Sequence, residues 1–174
     1  PHIGEDGAGA VTAENAAGDI AMPVGPADVV LAAVVSDEPA DVLLRSFVKD
    51  FSEMVALRPA LPIMVVREAL SGGRHLDRQI LPCFTAMFSV VREIVEKGTR
   101  DRTFRPVDPL LTHLSLIGSL IFFFITAPLR DRLISETRFH ADNPEPEAYV
   151  RHVQDRMTRA LAADAPPAAP KKRT

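Results

Sequence analysis

Apolar residues recur along this chain at steps of three and four, and that spacing organises most of it into helices. Leu43, Leu44, Phe47, Val48, Phe51, Met54 and Val55 form one broad stripe, which predicts a helix from Pro39 to about Leu57. Asp37 and Glu38 give it an acidic entry, and Pro39 suits the first helical position. A second helix is predicted from Pro59 through Ile63, Val66 and Leu70, ended by Gly72 and Gly73. A third spans roughly Leu76 to Lys97 and stops at Gly98, with Ile80, Phe84, Met87, Val91, Ile94 and Val95 on its apolar face. Pro82 removes a backbone donor there and predicts a kink or a late start. Tyr149, Val150, Val153, Met157 and Leu161 mark a last helix from Pro146 to Ala163. Residues 27–35 (ADVVLAAVV) fit a short helix or a buried strand, and periodicity does not separate the two.

One stretch has no amphipathic contrast. Asp108 and Pro109 read as a cap and a first-turn proline, and the 21 positions from Pro109 to Leu129 carry no charge. By length the run matches a bilayer span, with Arg130 and Arg132 as compatible flanks, and a small membrane protein anchored by 109–129 is one reading. Thr112, His113, Ser115, Ser119 and Thr126 are a heavy polar load for a lone span. The reading preferred here is a central helix buried partly by its own domain and partly by a partner subunit, with no membrane. Ser115, Gly118 and Ser119 would let a second helix approach closely.

Composition narrows the class. The 174 residues are 47% hydrophobic and 25% charged, the balance of one globular domain. The single cysteine, Cys83, excludes an internal disulfide, and no export signal is visible, so a cytoplasmic location is expected. Eight acidic residues and no Lys or Arg occupy positions 1–44 (Glu5, Asp6, Glu14, Asp19, Asp28, Asp37, Glu38, Asp41). That stretch repels phosphate. Residues 1–26 are glycine-broken and predicted to be irregular, residues 27–164 form the helical domain, and the Pro-rich basic tail 165–174 is predicted to be unfolded.

The segments DEPADVLLRSFVKDFSEMVALRPAL, VVREAL, LPCFTAMFSVVREIVEKG, GTRDRTFRPVDP and EAYVRHVQDRMTRALA, in this order, resemble the C-terminal regulatory domain of the TetR/AcrR family of bacterial transcription regulators. The likeness covers about residues 27–163. It implies an all-α regulatory bundle, a small lipophilic effector, and a homodimer formed as a four-helix bundle by the helices at about 109–126 and 146–163. It implies a repressor and not an enzyme. The family reads DNA through an N-terminal helix-turn-helix, and the acidic, glycine-broken stretch here does not match one. Operator DNA is therefore expected as a partner only through such a module outside this chain. An alternative is a dimerisation module, deficient in DNA binding, that sequesters paralogues.

Helical faces then give candidates. Phe47, Phe51, Met54, Met64, Phe84, Met87, Phe88 and Val91 offer adaptable apolar walls for an effector, or ordinary core packing. Arg67 and His113 are the polar positions suited to orient it, though for His113 a hydrogen bond to backbone or across a dimer is as good a reading. Leu114, Ser115, Gly118, Ser119, Phe122, Tyr149, Val150, Val153 and Met157 are the expected dimer interface. Arg92, Glu93, Glu96 and Lys97 read as a solvated face with local ion pairs; Arg100, Arg102 and Arg105 read as an anion site or a plain surface loop. The histidines lack metal-ligand spacing, and no nucleophile-base arrangement stands out. No catalytic residue, metal or cofactor is expected.

Overall fold

A computed structural model describes residues 36–74, 81–137 and 142–163. The expectations for 1–26, for 27–35 and for the tail 165–174 fall outside these residues, as does the Cys83 side chain. The described residues form helices α1 (Ala40–Leu57), α2 (Ala60–Leu70), α3 (Leu81–Arg100), α4 (Pro109–Ile125), α5 (Ala127–Glu136) and α6 (Pro146–Leu161). α4 is the hub and packs against each of the other five, while α1 also lies along α3 and α6.

α1 forms as its stripe predicts, with Leu44, Phe47, Val48, Phe51 and Val55 buried. Pro39 sits one place before the helix: its ψ of 145° is extended, and its carbonyl accepts the first bond from Leu43 N–H at 3.0 Å. α2 ends on the two glycines. Gly72 N–H bonds to Ala69 O at 3.1 Å and Gly73 N–H to Glu68 O at 2.9 Å, with φ of +74° and +76°. These paired bonds satisfy the last carbonyls and require left-handed residues, which glycine supplies without a Cβ penalty.

α3 does not stop at Gly98 but runs on to Arg100. Its described part begins at Leu81, with Pro82 in the first turn. Gly98 serves packing instead: a Cβ there would lie within 2.8 Å of Phe104 Cε2 and closer still to Cγ and Cδ2. Phe104 folds back onto it, its N–H bonded to Gly98 O at 2.9 Å after Arg102 turns the chain with φ of +58°. The same loop clasps the end of α6. Phe104 bridges Ala162, Arg105 N–H bonds to Leu161 O at 2.8 Å, and Arg105 Nε bonds to Ala160 O at 2.9 Å. Arg105 therefore satisfies terminal carbonyls of α6, whereas Arg100 and Arg102 are exposed.

The uncharged run is not one helix. Asp108 caps α4 as expected, its Oδ1 accepting Leu111 N–H at 2.9 Å. The helix then breaks at Thr126, and α5, which the sequence pattern did not separate, leaves at a bend of 52°. Pro128 explains the break, because a proline has no N–H to return to residue i−4 and its ring crowds that carbonyl. Arg130 holds the corner. Its Nη1 donates to Phe123 O and to Thr126 Oγ1 (2.7 Å), and its Nε donates to Asn143 Oδ1 at 2.9 Å. The guanidinium also lies 4.1 Å from the Phe123 ring centroid. Among the described residues no single helix is long and apolar enough to cross a membrane; the bent pair α4–α5 passes by length and composition alone.

Candidate functional site

α4 presents two opposed faces. Leu111, Leu114, Ser115, Gly118 and Phe122 are all exposed and recur at steps of three and four, so they share one side of the helix. Phe122 is 66% exposed, and nothing lies within 4 Å of a Cβ built on Gly118. Leu110 flanks this apolar strip and was not among the residues singled out from the sequence. His113 lies about 180° round the helix, at roughly 100° per residue, and meets α3. Its ring makes an edge-on contact with Phe88, centroids 5.6 Å apart at 87°.

His113 Nδ1 is buried and has no hydrogen-bond partner among the described residues. Burial lowers the pKa of the ring below its ordinary value, so the imidazole is neutral near pH 7. Among the described residues no backbone group partners this nitrogen. A buried polar atom left unpaired is costly.

The other candidate wall residues divide by depth. Phe47, Phe51 and Val91 are buried in the main core, and Met54 and Met87 pack half-buried against it. Phe47 and Phe51 stack on each other with centroids 6.2 Å apart. Phe88 is half-buried, while Met64, Phe84 and Arg67 are exposed. The structure thus brings Phe88 to His113, places Met87 beside the core, and leaves Arg67 on the surface of α2.

The candidate interface residues divide by helix. Leu114, Ser115, Gly118 and Phe122 face outward from α4, and Ser119 is half-buried. On α6 the apolar stripe turns inward. Val153 is buried in the protomer's own core, and Tyr149, Val150 and Met157 pack against that core. Tyr149 stacks on Phe123 at 4.0 Å between centroids and donates its hydroxyl to Ser119 O at 3.1 Å. The outward face of α6 is polar instead, with Arg151, His152, Arg156 and Arg159 exposed. Asp155 pairs with Arg45 at 2.9 Å, and that hydrogen bond holds its carboxyl below the usual range. Arg92, Glu93, Glu96 and Lys97 form the local ion pairs expected of them, Lys97 with Asp101.

Comparison with known proteins agrees with this helical arrangement. The family model described as tetracyclin repressor-like, C-terminal domain, matches residues 41–158. No curated protein and no solved structure matches the chain.

Proposed function

We propose, for a chain that belongs to the tetracyclin repressor-like C-terminal domain family and is a regulatory domain of that type, that it homodimerises through α4 and binds a small lipophilic effector beside His113. The observation that carries this reading is the two-faced build of α4. One side offers an apolar strip with a glycine at its centre, and the opposite side carries a buried imidazole with an unpaired nitrogen. A ligand that pushes α4 away from α3 would shift the strip on the far side. Such a ligand biases a dimer only if it binds two dimer geometries with different affinity.

The gene-level role that fits is a repressor's, with operator contact made by a helix-turn-helix module and not by these helices. The α6 contribution to the dimer is its outward polar face together with the half-buried edges of Tyr149, Val150 and Met157. Catalysis plays no part in the proposal.

Sedimentation velocity tests the dimer. The wild-type chain is expected to run as a dimer at micromolar concentration, and Phe122→Asp as a folded monomer with unchanged helical circular dichroism. Gly118→Leu should act alike, because a Cβ there meets nothing within 4 Å in the protomer, whereas the added side chain would meet a second helix in the dimer. A monomeric wild type, or a dimer that survives both substitutions, refutes the assignment. Thermal shift with neutral alkyl-aromatic compounds tests the effector site, where a saturable rise supports it.

A further inference from the structure

We infer that α5 is part of the dimer interface: Leu129 and Leu133 continue the outward strip of α4 and pack against a second copy of this chain. This rests on the α4 dimer reading above and extends it to a helix that the sequence pattern did not separate.

The bend at Thr126 turns the helix axis without turning the face. Thr126 N–H bonds to Phe122 O at 3.1 Å and Arg130 N–H to Thr126 O at 2.9 Å, so bonds of helical spacing join the two helices through the corner. Side chains keep their phase across it. Phe123 is buried on the inner side of α4, Arg130 and Ile134 of α5 are half-buried, and the Arg130 guanidinium bonds to Phe123 O. On the other side Phe122, Leu129 and Leu133 are all exposed. Leu111, Ser115, Gly118, Phe122, Leu129 and Leu133 follow one another at steps of three, four or seven, so one side of α4 becomes one side of α5. The hydroxyls along this side are already satisfied. Ser115 Oγ donates to Leu111 O at 2.8 Å and Thr126 Oγ1 to Phe122 O at 2.7 Å, so covering them strands no donor.

Area points to a second copy as the occupant. Leu110, Leu111, Leu114, Phe122, Leu129 and Leu133 are each between 46% and 66% exposed. At roughly 200 Å² for a large apolar side chain in the open, each leaves about 110 Å² uncovered. The four on α4 would bury about 900 Å² between two copies, short of the roughly 1,200 Å² at which stable interfaces begin. Leu129 and Leu133 raise that to about 1,300 Å². The outward face of α6 is polar, so it does not supply the missing apolar surface. Charge favours a protein over a lipid surface. Asp131, Arg132 and Glu136 are exposed on the same short helix, with Arg132 paired to Glu136 at 3.0 Å. Charges of both signs beside an apolar strip make the polar rim of a protein interface, whereas a bilayer would have to desolvate them next to the two leucines.

The test compares the intact chain with a variant carrying Leu129→Ala and Leu133→Ala together. Sedimentation velocity over a dilution series should show the dimer dissociation constant of this variant raised about 100-fold, with unchanged helical circular dichroism. Each truncation counts twice in a symmetric pair, which makes about ten-fold per leucine the expected size. On the wild type, hydroxyl-radical footprinting should show labelling of Leu129 and Leu133 falling as concentration rises and protomers pair, a readout independent of how the variant folds. An unchanged dissociation constant in the folded variant, or equal labelling of the two leucines in monomer and dimer, would overturn this inference and leave the α4 dimer standing. Flotation of the wild-type chain with phosphatidylcholine vesicles, lost in the double variant, would assign the leucines to a lipid surface and overturn it too. A wild-type chain that is monomeric at micromolar concentration would refute the dimer reading and this inference with it.

Discussion

Gly98 and Gly118 lie inside two different helices, and replacing each with alanine is expected to move stability in opposite directions. Alanine in place of glycine in a helix interior contributes about 1 kcal/mol, because the unfolded chain loses freedom. At Gly118 the new methyl group meets nothing within 4 Å, so the protomer keeps most of that gain. At Gly98 the methyl group meets three atoms of the Phe104 ring, with Cε2 at 2.8 Å and the other two nearer. Phe104 is 2% exposed, and its N–H is bonded to the carbonyl of Gly98 itself. The ring cannot slide aside without pulling the turn and the Ala162 bridge with it.

Overpacking a well-filled core costs about 1 to 3 kcal/mol. Three ring atoms in the way place Gly98→Ala toward the upper end of that range, which outweighs the helical gain. The expected result is a net loss of about 1 to 2 kcal/mol at Gly98 against a gain of up to about 1 kcal/mol at Gly118. Urea denaturation followed by helical circular dichroism resolves a gap of that size. The measurement should be made at dilutions where the chain is monomeric, since Gly118 also lies on the proposed interface. A second substitution supplies the control: Phe104→Leu in the Gly98→Ala background should cost less than it does alone, the signature of two groups competing for one space. If both glycine variants shift stability the same way by the same amount, the ring-on-glycine argument is wrong.

Other outcomes follow from single contacts. Asp108→Ala removes the side chain that caps α4 and should cost about 1 kcal/mol in the same assay, with Asp108→Asn recovering most of it. Arg130→Met keeps the aliphatic stem but removes the donors to Phe123 O, Thr126 Oγ1 and Asn143 Oδ1. A loss of about 1 to 3 kcal/mol is expected, and no loss would show that the corner at Thr126 holds without the guanidinium. The pH response of His113 has a definite sign. Its folded pKa lies below the ordinary 6.5, so the unfolded chain takes the proton first as pH falls. Stability should therefore decline below about pH 6.5 and stop declining below the folded pKa, and the difference between wild type and His113→Leu isolates this from the other histidines. A pH-independent difference would refute burial as the cause.

The elements that could be read from the sequence are those where polar and apolar residues alternate along a helix. On α1 the contrast between Lys49, Asp50 and Glu53 and the stripe from Leu44 to Val55 marks the buried face outright. Asp108 followed by Pro109 fixed the start of α4 for the local reason that a cap and a first-turn proline are short-range chemistry. The interior of the 109–129 run offers no such contrast. Neither the corner at Thr126 nor the outward strip from Leu111 to Phe122 stands out among uniformly apolar neighbours, although Pro128 was a signal for the break. Gly98 was misleading for a different reason. Glycine near a helix end usually terminates it, but here its role is set by Phe104, whose position depends on a contact with Ala162 far along the chain. On α6 the periodicity of Tyr149, Val150, Val153 and Met157 shows that a face is covered without showing by what; α1 and α4 of the same protomer cover it. The unpaired nitrogen of His113 was legible only as a polar residue in an apolar stretch. Its isolation required three dimensions.

The pairing of α1 with α6 has a consequence for synthesis. Arg45 and Asp155 are separated by 110 positions, and Gln154 Nε2 reaches Arg45 O across 109. At about 5 to 20 residues per second, a ribosome delivers α6 some 5 to 20 s after α1 has emerged. Throughout that interval Leu44, Phe47, Val48 and Phe51 lack part of their native cover, and α4, the hub, is itself still to come for most of it. The nascent chain thus exposes the buried stripe of α1 before α4 and α6 exist to cover it, which leaves that stripe open to a chaperone during translation. A slowed ribosome late in the message, before α6, would prolong that exposure and favour aggregation over folding.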